Sequence, residues 1–162
     1  MEGEPMNIFY LDQCPVEAAR MQCDKHVVKM ILETAQLLST AHAELDGESP
    51  AYKPTHKNHP SAVWVRSSMS AYVWAWRHLQ SLGIEYSRRY GKVHKTIRDH
   101  LDTLYRAPSA IPIVDFTAPP QCMPDECKND DTVLAYLTYY NHKADEWDAK
   151  GSPMKWNGRE AV

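Results

Sequence analysis

Apolar residues recur every three or four positions along most of this chain, the spacing of one buried face per helix. Val27, Met30, Ile31, Leu37, Leu38 and Ala41, with the methyl of Thr34, predict a long amphipathic helix that Asp24 can cap. Before it, Pro15 suits the first position of a shorter helix over Val16 to Gln22, because its missing N–H costs nothing there. Pro60 opens a third series with Asn58 or His59 as cap, and Val63, Trp64, Ser67, Ala71, Val73, Trp74, Leu79 and Leu82 carry one helix to about Tyr90. Gly83 is a weak point inside it and Gly91 a natural stop. Two more helices follow, at Val93 to Tyr105 and Asp130 to Asp148, the latter broken by Gly151-Ser-Pro153. Asn7 to Leu11 is short and β-like, Asp46 to Pro60 is loop, and Pro108 to Pro124 is irregular. The expectation is an all-α fold: one mainly helical domain over 1–162, a bundle with a short extended N-terminus, with 1–6 as a flexible extension.

Composition narrows the class. No apolar run approaches the ~18 residues of a membrane span, and no basic segment followed by an apolar run marks a signal peptide. An intracellular, cytoplasmic, monomeric protein is expected, with Cys14, Cys23, Cys122 and Cys127 as thiols. A formal charge of −3 argues against a strongly basic nucleic-acid binder. The sign changes along the chain, however. Segment 53–95 carries Lys53, Lys57, Arg66, Arg77, Arg88, Arg89, Lys92 and Lys95 against the single acid Glu85. One face can therefore attract phosphates while the whole is acidic.

The polar side of the long helix concentrates the chemistry. His26, Lys29, Glu33, Gln36 and Thr40 follow one another at spacings of three and four and form one stripe. A carboxylate beside a lysine and a histidine on a rigid helix can do general acid/base work, although periodicity alone favours a solvated face with an ordinary Lys29–Glu33 pair. His56-Lys57-Asn58-His59 and Lys92-Val-His94-Lys95, with Arg66, bring cations and imidazoles to helix ends, where they suit phosphate contacts or simple capping. Trp156, beside Lys155 and Arg159, either packs or stacks on a base. Cys23-x-x-His26, His56-x-x-His59 and Cys122-x4-Cys127 leave a metal-dependent hydrolase as an alternative, but no metal or other cofactor is expected. No glycine-rich phosphate loop is present.

In order, these motifs resemble the pyrimidine-dimer DNA glycosylases of phages (the endonuclease V type) and their small bacterial relatives. The match rests on Asp24-x-His26-x6-Glu33 with Lys29, then Asn58-His59-Pro60, Glu85-Tyr-Ser-Arg-Arg89, Met123-Pro-Asp-Glu126 and Pro153-Met-Lys-Trp156. The resemblance implies that Glu33 is the catalytic carboxylate and His26 its neighbour at the substrate, with Lys29 and Asp24 in the set. It also implies a DNA partner held by Lys25, His56, Lys57, Asn58, His59, Arg66, Lys92, His94, Lys95, Lys155, Trp156 and Arg159, in a bacterial or phage-infected cell. In that family an amine attacks the anomeric carbon and the resulting imine allows strand cleavage. The phage amine is the chain's own N-terminus, whereas this chain begins Met1-Glu-Gly-Glu-Pro-Met6-Asn7, so the nucleophile is open between an amine and water. A phage-type protein that modifies or recognises a DNA base on the same fold is a further alternative.

Overall fold

The long amphipathic helix is the spine of the fold. The computed structural model describes residues 6–156, and within them α1 (Pro15–Arg20) leads into α2 (Asp24–Asp46), 23 residues that rise about 34 Å at 1.5 Å per residue. Asp24 was expected to cap α2. Cys23 is the cap residue instead, without a side-chain bond, and Asp24 occupies the first turn. Gly47 ends α2 in the left-handed conformation that glycine adopts without steric cost.

Where one helix is expected from Pro60 to Tyr90 there are two, α3 (Pro60–Val65) and α4 (Met69–Tyr90). The Ser67-Ser68 pair makes the break. Ser67 Oγ donates to the Trp64 carbonyl at 2.6 Å, while Ser68 Oγ accepts from the Ala71 amide at 3.0 Å and caps α4. Hydroxyls placed this way offer the backbone partners that compete with a continuous helix. The freed Met69 amide donates to the Pro112 carbonyl at 2.8 Å, which fastens the irregular connection to the break. Between the two candidate caps for α3, His59 is used: its Nδ1 accepts from the Ser61 amide at 3.1 Å. α5 (Lys95–Leu104) is capped in the same way by His94, and α6 (Thr132–Ala149) by Asp131, after a 3-10 turn at Asp125–Cys127.

α2 and α4 run antiparallel, since Arg89 near the end of α4 meets Asp24 at the start of α2, and Tyr72 near the start of α4 meets His42 near the end of α2. α1 lies on α4, where His78 Nδ1 bonds the Pro15 carbonyl at 3.0 Å. α5 crosses both long helices, and Gly83 explains how closely: a methyl group there would stand 2.8 Å from Ile97 Cδ1 and Cγ1. The residue read as a weakness is what lets α5 approach.

One core unites α1 to α6 with the N-terminal segment. Asn7 to Leu11 is buried but irregular, turning at Phe9 where the Leu11 amide donates to the Phe9 carbonyl at 2.8 Å, and no strand occurs among the described residues. Met6 is buried within the core at 2% exposure, which corrects its expected place in a flexible extension. Three tryptophan N–H groups tie elements together: Trp64 and Trp74 donate to the loop carbonyls of Thr117 and Gln13, and Trp76 in α4 to that of Leu101 in α5. All four cysteines are free thiols. Among the described residues no helix is long and apolar enough to cross a membrane.

Candidate functional site

The polar stripe of α2 is largely covered, and its members have different fates. At its C-terminal end Thr40 Oγ1 accepts from the Thr55 amide at 3.1 Å, and the adjacent Ser39 Oγ accepts from Tyr52 N and donates to Tyr52 O. These bonds clamp the 51–55 loop onto the helix, so Thr40 is an anchor. At the N-terminal end His26 is buried, stacked on Phe9 with ring centroids 4.2 Å apart, and its Nδ1 lies 2.7 Å from the Tyr140 hydroxyl. Burial first, then the cations Lys143, Lys29 and Lys25, press its pKa down to about 3. A neutral His26 follows, positioned by α6 and held under Phe9, whose φ of 53° is in the region that costs a non-glycine residue of order 1–3 kcal/mol.

Between these ends sits Glu33. Its side chain is 11% exposed, its Oε2 lies 3.7 Å from Lys29 Nζ, and its Oε1 is buried with no hydrogen-bond partner among the described residues. Burial raises its pKa to about 7 against the opposing pull of Lys29. An ordinary surface ion pair would do neither, because an exposed carboxylate keeps its water and its low pKa. A buried oxygen without a partner costs about 1–3 kcal/mol, and such a cost recurs where a group is kept for reaction. Near neutral pH this carboxyl can both accept and return a proton.

Asp24 does not share the site. Nine residues at about 100° each put it on the opposite side of α2 from Glu33. There its Oδ1 accepts from Arg89 Nη1 at 3.1 Å. The Arg89 side chain is fully buried and also bonds Glu85 and the carbonyls of Gln22 and Arg20. The Glu85 to Arg89 run is therefore a buried charged staple between α4 and the α1–α2 turn.

The cations expected at phosphates come from α2 and from the loops and helix that pack on it. Lys25 and Lys29 stand on α2 itself, and Lys25 lies 5.2 Å from the centre of the Trp147 ring. The clamp at Thr40 brings the loop carrying exposed His56, Lys57 and Asn58 to the C-terminal half, where Arg66 Nη1 donates to the Lys57 carbonyl at 2.7 Å. Exposed Lys92 and Lys95 join through Tyr52, whose hydroxyl is 2.9 Å from Thr96 Oγ1. His59 and His94 are half-buried caps, and that capping occupies Nδ1 of each. Lys155 is exposed, but Trp156 turns inward, its indole N–H donating to the Met21 carbonyl at 3.1 Å, the packed one of its two expected arrangements. Arg159 lies outside the described residues.

Lys143 was missed by the sequence reading. It lies 4.9 Å from the centre of the Tyr139 ring and lowers the His26 pKa, and the signal for it was its spacing of three and four from Tyr140 and Trp147 on α6. Among the described residues no group of three or more His, Cys, Asp or Glu side chains is arranged to hold a metal ion, so the Cys-x-x-His and His-x-x-His pairs do not combine into one. A cleft of about 670 Å³ beside Tyr10, Trp74, Phe116 and Asp130 is lined by none of the expected site residues. No family model, curated protein or solved structure matches this chain.

Proposed function

We propose that this protein is a DNA base-excision enzyme, a glycosylase acting on a damaged or modified base, with Glu33 as its catalytic carboxylate. The observation that carries the reading is Glu33 itself: a nearly buried carboxyl with one unpartnered oxygen, a pKa near 7 and a lysine at 3.7 Å, on a helix whose exposed arc is lined by cations. The motif order supports it through the resemblance to the pyrimidine-dimer glycosylases.

In this reading ionised Glu33 takes a proton from water as its oxygen attacks the anomeric carbon. The glycosidic C–N bond breaks, its electron pair leaves with the base, and the base takes up a proton. Lys29 holds the carboxylate in register and offsets negative charge from the backbone. Neutral His26, locked by Tyr140 and Phe9, supplies a firm wall at the stripe's N-terminal end. Lys25, Lys57, Lys92, Lys95 and Lys155 bind phosphates, which fix register without reading sequence. An amine nucleophile is less suited here, because the Lys29 amine is committed to the Glu33 carboxylate at 3.7 Å.

The test is base release from duplexes carrying a panel of damaged and modified bases, with borohydride present or absent. Abasic sites should form without a trapped covalent adduct. An adduct that disappears in Lys29→Ala would make Lys29 the nucleophile instead.

A further inference from the structure

The outer face of α4 carries a second site, remote in kind from the Glu33 stripe. A groove of about 570 Å³ runs between α4 and the end of α5, walled by Met69, Val73, Trp76 and Tyr105 and flanked by Arg77 and Arg106. Its volume is in the range of real ligand clefts, about 300–1,000 Å³. Val73 is 44% exposed and Tyr105 70%, although each would gain by burial. Trp76 is held in place by its indole bond to the Leu101 carbonyl and by edge-to-face contact with Tyr105 at 5.0 Å, so the wall is preformed.

Charge identifies the occupant. No acid lines the groove, and neither guanidinium makes an ion pair among the described residues, unlike Arg20, Arg88, Arg89 and Arg98. Two unpaired guanidiniums beside an apolar wall match carboxylates flanking an apolar anchor. A two-fold copy of the same face is disfavoured, because it would bring arginines against arginines. The groove also continues: Gln80 lines both it and a neighbouring cleft that includes Val16 and Ile84, with Arg20, Arg88 and a Glu85 that is already ion-paired to Arg88 and Arg89. From Met69 to Ile84 this is about 22 Å of helix, longer than a small molecule and suited to a chain.

We propose that this face docks an acidic peptide segment of a partner protein, with aliphatic or aromatic anchors in the groove and carboxylates on Arg77 and Arg106. The probe is a fluorescein-labelled twelve-residue peptide with leucine and phenylalanine at helical spacing between glutamates, titrated into the full chain by anisotropy. Binding should fall about tenfold or more in Arg77→Glu/Arg106→Glu, the loss of two charge-assisted contacts, and equally in Val73→Asp. Circular dichroism and melting should show both variants folded. A lysine-for-glutamate version of the peptide should fail on the natural protein and bind the double arginine variant. The proposal is overturned if that basic peptide binds the natural protein as well as the acidic one does, or if the arginine replacements leave acidic-peptide binding unchanged. Self-association in sedimentation that Val73→Asp abolishes would also overturn it, by assigning the face to a second copy.

Discussion

Glu33 shows how one position can be both a fault in the fold and the centre of its chemistry. Burial moves its pKa from 4.5 to about 7, so the fold favours the protonated acid. That preference is whole below about pH 4.5 and is lost as pH rises through 7, so the natural protein carries a growing penalty toward alkaline pH. Glu33→Gln removes it. Between pH 5 and pH 8 the variant should gain about 1–3 kcal/mol relative to the natural protein in urea unfolding, and parallel stability curves would show that Glu33 is solvated. Lys29 works in the opposite sense, holding the carboxyl pKa down. In Lys29→Gln the rise of activity with pH, set by ionisation of Glu33, should move to higher pH. An unmoved limb in the pH profile would separate Lys29 from the carboxylate. Spacing made the Glu33 and Lys29 pair legible in the sequence, but not its burial, which arises only in the assembled fold. The same limit explains Asp24: the motif places it with Glu33, while the helix turns it to Arg89.

At the scale of elements, helix existence followed from periodicity and helix breaks did not. The 3.6-residue pattern runs through Ser67 and Ser68 undisturbed, and only the hydrogen bonds of their hydroxyls reveal that α3 ends and α4 begins. Gly83 is the complementary case, a residue whose meaning lies in the helix packed on it. Gly83→Ala improves local helix propensity yet should destabilise the protein by about 1–3 kcal/mol, because the added methyl overpacks Ile97. Combining it with Ile97→Ala should recover part of that loss in a double-mutant cycle followed by thermal melting. Additive losses would mean that α5 is not in close contact at this point.

For the whole molecule, an acidic chain that binds DNA requires its cations to be gathered. The uneven charge along the sequence suggested such a gathering: Lys25 stands on α2, and the Thr55 and Tyr52 contacts tie the loop that carries Lys57 to α2 and to α5, the helix that Lys95 begins. DNA affinity should therefore fall steeply with salt, and alanine at Lys57, Lys92 or Lys95 should each reduce the slope of log affinity against log salt by about one. Salt-insensitive binding would remove the phosphate backbone as the ligand. The most direct measurement of the central claim is single-turnover base release by the natural protein and by Glu33→Gln, on every duplex of the lesion and modified-base panel to which the natural protein binds. Release from at least one duplex by the natural protein and none by the variant, with DNA affinity retained, is the expected result. Folded natural protein that binds these duplexes and excises nothing, or a Glu33→Gln variant that keeps its turnover, would contradict it.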